Sequence, residues 1–351
     1  MSNVKKIKEN DFLSISARVR VLENRLLTAE RMERMIDAKD VNDAAKVLGE
    51  CGYPDLPEVT FSALEEMLAD AQAALFADMG KAVGNDALID VFRCKYDYHN
   101  AKTLVKAEAL KLDQDRLLLG GGRYAPAELA EDFRREDLRS YAETFREAIG
   151  HAREVLGSSG DPQQADFILD RAYFLELSDL AERSGSKFLA GYVTALIDAA
   201  NLRSAVRAAR LDKGGEFLRQ VLVTGGSVPP DEIAKVKGAE LGKVFKDTAF
   251  KAAAEAGAAL AVPNGGPLTD FERLCDDAVM DYLAKARMIP FGEQPVVSYL
   301  YAREAEATAI RIILTGRMAG IDGSTIRQRL RRAYCSGGRL YGKQLSDRRA
   351  G

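Results

Sequence analysis

The sequence predicts an all-α protein built from three related helical lobes, and three observations predict it. Residues 187–211, KFLAGYVTALIDAANLRSAVRAARL, contain no Pro and a single Gly, Gly191. Their apolar residues Leu189, Tyr192, Val193, Leu196, Ala200 and Val206 recur at helical spacing. At about 1.5 Å per residue this stretch makes a helix about 37 Å long. The chain as a whole is dominated by Ala, Leu, Arg and Glu, all strong helix formers, with no Trp and only 10 Pro in 351 residues. Finally, a relative of the 187–211 helix sits roughly a hundred residues upstream and a weaker one roughly a hundred residues downstream.

Taken in order, residues 10–36 read as one amphipathic helix or two, with Leu22, Leu26 and Leu27 on the apolar seam and a break at Thr28, which starts a capping pattern. Residues 40–50 form a short helix capped by Asp40. CGYPDLPEV ends it with two prolines. Helices over 60–82 and 85–111 follow. Gly120–Gly122 close that element, and a new one begins at Ala127. Residues 137–156 and 163–184 are helical around a break at Gly157–Pro162, and 187–211 comes next. VLVTGGSVPPDEIAKV repeats the glycine turn. Helices over 239–261 and 268–288 flank the loop Pro263–Pro267, IPFGEQP leads into a helix over 294–315, and a short helix covers 323–334. The Arg-rich end of the chain reads as a fraying polar tail. No strand pattern emerges.

Composition narrows the function. The chain is 47% hydrophobic and 29% charged, enough to bury sizeable cores. A net charge of −3 argues against general nucleic-acid binding. Cys51, Cys94, Cys275 and Cys335 are far apart, with no CxxC pair and no His at ligand spacing, so no zinc site is expected and the thiols fit a reducing cytosol. MSNVKKIKENDFLS has no apolar core and does not read as a signal peptide. The longest uncharged apolar run, Phe188–Ile197, is about half of what a spanning helix needs, so membrane association is expected through a partner.

The repeat is specific. Asp97, Asn100, Lys102, Val105, Lys106 and Ala107 match Asp198, Asn201, Arg203, Val206, Arg207 and Ala208 in the pattern D-x-x-N-x-[KR]-x-x-V-[KR]-A, offset by 101 residues. The double glycine that follows, Gly121-Gly122 against Gly225-Gly226, is offset by 104. A degraded third copy has Glu306, Ala309 and Arg311 at these positions, offset by 108 from the second, with Gly316 and Gly320 standing in for the double glycine. The period is too long for tetratricopeptide or ankyrin units. The lobes are drawn as 10–120, 121–225 and 226–335, with 336–351 as the tail. Asp198 and Asn201 share a helix face. Arg203 lies too far around the helix to pair with Asp198, which is expected to meet a donor on a neighbouring helix. Arg203, Arg207 and Arg210 form a cationic strip where the helix dipole favours positive charge. The strip reads either as a solvated face beside packing Asp and Asn residues or as a partner contact.

Four segments, ARVRVLENRLLT, YDYHNAKTLVKA, IDAANLRSAVRA and PFGEQPVVSYLYAREAEATAIRIILTG, in this order and spacing, resemble the C-type stalk component of V-type and A-type ATPases and ATP synthases, whose eukaryotic counterpart is the d component. The resemblance covers roughly residues 12–335 and departs in the third copy, where Ala309 replaces the expected Asn, and in the tail. It implies a funnel of three lobes on the cytoplasmic face of a membrane, peripheral through its complex. It implies a non-catalytic rotor subunit linking the central stalk to the membrane rotor ring and transmitting torque coupled to proton or sodium transport. One copy per complex, monomeric when isolated, is implied as well. The residues expected to serve the partner socket are Asp97, Asn100, Lys102, Asp198, Asn201, Arg203, Arg207, Glu306 and Arg311.

Other chemistry is set aside, and no cofactor, metal or catalytic residue is expected. Asp276, Asp277 and Asp281 are similar to the acidic cluster of magnesium-dependent helical prenyl-transfer enzymes, but occupy an ordinary repeat position. Gly120–Gly122 lacks a preceding strand and a following Gly-Lys-Ser/Thr, so it reads as a helix end rather than a phosphate loop. His99 and His151 have no nucleophile nearby, and His99, whose counterpart is Ala200, reads as incidental. Tyr96, Tyr192 and Tyr299 read as core residues. A generic helical scaffold for another protein is the alternative function.

Overall fold

The computed structural model describes residues 7–112 and 115–335; the tail expected at 336–351 lies outside them. The described residues form helices joined by turns, with no strand among them, as the composition and periodicity predict. In chain order the helices are α1 (Leu13–Leu22), α2 (Ala29–Ile36), α3 (Val41–Glu50), α4 (Phe61–Val83), α5 (Asp86–Leu110), α6 (Pro126–Arg134), α7 (Glu143–Ser159) and α8 (Pro162–Ser184). They continue with α9 (Lys187–Arg210), α10 (Gly215–Val221), α11 (Pro230–Lys235), α12 (Leu241–Val244), α13 (Lys251–Leu260), α14 (Thr269–Ala284), α15 (Glu293–Met318) and α16 (Gly323–Arg329).

Local chemistry explains most boundaries. The Thr28 hydroxyl accepts from the Arg31 amide at 3.2 Å and starts α2, and Asp40 caps α3 through the Asp43 amide at 2.9 Å. Ser186 caps α9 through the Leu189 amide at 3.0 Å. Three expectations change. The 239–261 stretch splits into α12 and α13, because Phe245 and Phe250 both turn inward and the Thr248 hydroxyl bonds the Phe245 carbonyl and the Phe250 amide, which competes with the helix ladder. The helix expected over 137–156 starts later, at Glu143. The last helix ends at Arg329 rather than 334, where Leu330 is extended.

The chain divides into two compact units. One takes Ala73–Gly266. The other joins the two ends of the described chain, Lys8–Gln72 and the residues from Pro267 on. In the first, α5, α7 and α8 pack together, with Phe145, Leu169 and Leu177 buried and the Tyr98 ring edge-on to Phe145 at 5.2 Å, while Phe92 of α5 stacks on Tyr192 of α9 at 5.6 Å. In the second, Met35, Ile36, Leu48 and Leu64 from the early helices share one core with Ile310, Ile313, Leu314 and Ile326. The boundaries of these units fall elsewhere than 120 and 225, so the threefold division rests on the repeated motif.

Candidate functional site

Each copy of the repeat builds a clasp between a long helix and a loop. In α5, Asp97 is fully buried. Its Oδ1 accepts from the Arg123 amide at 2.9 Å and its Oδ2 from Arg123 Nε at 2.6 Å. One turn on, Asn100 accepts from the Leu119 amide at 2.7 Å and donates to the Leu119 carbonyl at 2.9 Å, as a neighbouring strand would. The glycine turn lies between these two grips. A Cβ at Gly122 would overlap the Asp97 carboxylate, so glycine is required for close approach.

The second copy repeats this geometry in α9. Asp198 accepts from the Ser227 amide at 2.8 Å and the Ser227 hydroxyl at 2.5 Å. Asn201 accepts from the Val223 amide at 2.9 Å and donates to the Val223 carbonyl at 2.8 Å. Gly226 abuts Asp198 as Gly122 abuts Asp97. Asp198 thus meets its donors on the loop between α10 and α11, and not on a neighbouring helix as its spacing from Arg203 suggested.

The third copy is closed differently. Glu306 in α15 accepts from the Leu27 amide at 2.5 Å, the Tyr53 hydroxyl at 2.8 Å and Arg303 Nη1 at 2.6 Å. Leu27 lies 279 residues upstream, in the other segment of the same unit. Gly316 and Gly320, expected to replace the double glycine, do other work: Gly316 packs against Ile326, and Gly320 is a left-handed turn at φ +68°. Ala309, at the Asn position, joins the apolar core.

Burial dominates the electrostatics. It pushes the Asp97 carboxyl up to about 6, against the opposing pull of Arg123. Burial also raises Asp198 against the bonds from Ser227, and raises Glu306 against the charge of Arg303. Arg123 carries the first clasp further by donating to Glu176 at 2.6 Å, and the Tyr98 hydroxyl donates to the same carboxylate at 2.8 Å.

Three basic residues of the motif pair with carboxylates on other helices. Lys102 donates to Asp170 at 2.5 Å and Lys106 to Asp166 at 2.7 Å, tying α5 to α8. Arg311 forks onto Glu65 of α4 at 2.6 and 2.8 Å. Arg203 is half-buried and Arg207 exposed, and both are engaged with other groups. Of the nine residues expected at a partner socket, Asp97, Asn100, Asp198, Asn201 and Glu306 are therefore buried in clasps, while Lys102 and Arg311 join helices. Sequence reasoning missed Arg123, Glu176, Tyr53 and Arg303. His99, exposed, has its Nε2 3.2 Å from the Leu117 carbonyl, beside the first clasp.

The acidic residues of α14 are matched by arginines. Asp276 pairs with Arg331 at 2.6 Å, Asp277 with Arg273 at 3.6 Å, and Asp281 with Arg332. Among the described residues no helix is long and apolar enough to cross a membrane.

These clasps fix backbone to backbone through buried side chains, which is the construction of a scaffold. Comparison with known proteins gives the scaffold its family: the model of the ATP synthase (C/AC39) subunit matches residues 15–329, and the chain belongs to that family. It is a non-catalytic subunit of a rotary ATPase, a membrane-associated complex. The C-type component of the V-type sodium ATPase of Enterococcus hirae is 22% identical over 325 residues, covering 92% of this chain and 99% of that one. Its counterpart in the V-type ATP synthase of Thermus thermophilus is 23% identical over 344 residues, covering 91% and 98%. The counterpart in the A-type ATP synthase of Haloferax volcanii is 30% identical over 199 residues, about half of each chain.

Proposed function

We propose that this subunit links the central stalk of its rotary complex to the membrane rotor ring and transmits torque coupled to proton or sodium movement. It sits on the cytoplasmic face, as three related lobes around a hollow that takes the foot of the stalk. The observation that carries this reading is the thrice-used clasp. A part that passes torque must resist shear, and each clasp ties a loop to a long helix through bonds to a buried carboxylate, in two copies with a paired amide. The buried motif residues are positioning residues in this reading, and the contacts with stalk and ring fall to the loops they hold.

Copurification tests it. A tagged copy of the full chain, recovered from its own membranes after gentle solubilisation, should bring down stalk and ring proteins together, with or without chelator. Recovery of neither would replace the rotor reading with a generic scaffold.

A further inference from the structure

The joints leading into the three long helices differ. Between α4 and α5, and between α8 and α9, two residues suffice, residues 84–85 and 185–186, and each pair opens on a left-handed glycine, Gly84 at φ +59° and Gly185 at φ +76°. Between α14 and α15 the joint is eight residues long, residues 285–292, a 3-10 turn over Lys285–Met288 followed by a four-residue loop. It is held at both ends. Arg20 of α1 donates to the Ala286 carbonyl at 2.7 Å and to the Ile289 carbonyl at 2.5 Å. Ser16 donates to the Gly292 carbonyl at 3.0 Å and accepts from the Gly292 amide at 3.1 Å. Gly292 sits at φ +124°, where only glycine is at ease.

Ala286 is buried and Ile289 half-buried, while the larger side chains between and beside them face outward. Met288 is 88% exposed and Phe291 41%, with Lys285 and Arg287 exposed beside them. Asp276, Asp277 and Asp281 of the preceding helix are matched to Arg331, Arg273 and Arg332, so these three do not cancel this charge. Rigid backbone, an apolar tip and flanking cations are the composition of an interface core, where Met, Phe and Arg are enriched. A chain with net charge −3 that carries a local cationic rim selects an acidic partner.

We infer that the 285–292 loop is a docking knob that inserts Met288 and Phe291 into an apolar recess rimmed by acidic side chains on a neighbouring protein of the same rotary complex. The inference rests on the function proposed above. A protein recess is favoured over a lipid surface because the backbone is pinned at three carbonyls and an amide, a rigidity that shallow insertion into lipid does not require.

The test uses membranes carrying the complex from which this protein has been stripped, and the purified full chain added back. Wild type should rebind, more weakly as salt rises. Met288→Asp, and separately the pair Lys285→Glu and Arg287→Glu, should rebind about tenfold more weakly or worse, while Met288→Leu rebinds as wild type. All four proteins should melt alike, since the altered side chains are exposed. Rebinding of Met288→Asp at wild-type strength would overturn the knob while leaving the rotor reading intact. Equal binding of wild type to protein-free vesicles of the same lipids would overturn it in favour of a lipid surface. Failure of wild type to rebind at all would overturn both readings.

Discussion

The clasps of the Ala73–Gly266 unit and the clasp of the other unit use the same helix position and close very different stretches of chain. Asp97 and Asp198 grip amides 26 and 29 residues downstream, on the loops that lead into α6 and α11. Glu306 grips an amide 279 residues away. Closing a loop roughly ten times longer costs about 2 kcal/mol more in chain entropy. The burial of Ile15, Val19, Leu26 and Leu27 in the returning segment is of the size to offset it. The lesson is that the third copy is not degraded so much as shared. Its helix comes from one end of the chain and its loop from the other, so the repeat closes on itself across the termini. The glycine turn and the amide could be lost there because a different segment, with its own leucines, supplies the loop.

That comparison can be broken most sharply at Glu306. Glu306→Ala leaves Arg303 buried without its carboxylate and frees the Leu27 amide, so it should cost about 3–5 kcal/mol. Urea unfolding should show the unit formed by the chain ends melting first, with Ala73–Gly266 following near its wild-type midpoint. Loss of both units together would contradict the division.

Asp97→Asn is milder, because Glu176 still holds Arg123; about 2–3 kcal/mol is expected. Its pH dependence carries a sign. The Asp97 carboxyl titrates near 6 in the folded chain against an ordinary 3.8, so the folded state takes up the proton first. The contribution of this group to stability therefore grows as pH falls from 7 through 6 and levels off below the ordinary value. The stability gap between wild type and Asp97→Asn should widen from pH 7 to pH 5 in parallel urea titrations. A gap that narrows would contradict the burial-raised carboxyl.

Asn201→Ala removes both bonds to Val223 and leaves a buried amide and carbonyl unpaired, at about 2 kcal/mol. The reciprocal Ala309→Asn should not stabilise the third clasp, because position 309 faces the apolar core and a buried unpaired amide is destabilising. If thermal melts showed Ala309→Asn gaining stability, the shared-repeat account of that position would fail. The smallest effect is expected at Lys102→Ala. Its pair with Asp170 is partly exposed, and such pairs contribute less than about 1 kcal/mol.

How much of this could be read from the residues alone follows the chemistry of the contacts. The helices were legible because apolar spacing and caps such as Thr28 and Asp40 are local. The motif Asp-x-x-Asn was legible because it recurs 101 residues apart. Its partners were hidden because most donors are main-chain amides, which leave no signature in a sequence. The side chain after the double glycine differs as well, Arg123 in one copy and Ser227 in the other. The partner of Glu306 was further out of reach, since nothing near Leu27 resembles a glycine turn. The partners of Lys102 and Arg311 were hidden for a related reason: both face carboxylates on helices distant in sequence, and spacing along one helix shows only one side of such a pair.

Hydrogen exchange at three backbone amides, Arg123, Ser227 and Leu27, tests the clasp account most directly. All three should be protected in the wild-type chain. Each should lose protection when its own carboxylate is removed, by Asp97→Ala, Asp198→Ala and Glu306→Ala respectively, with the clasps in the other unit unaffected. Rapid exchange of the Leu27 amide in wild type, or its continued protection in Glu306→Ala, would contradict a repeat closed across the chain ends.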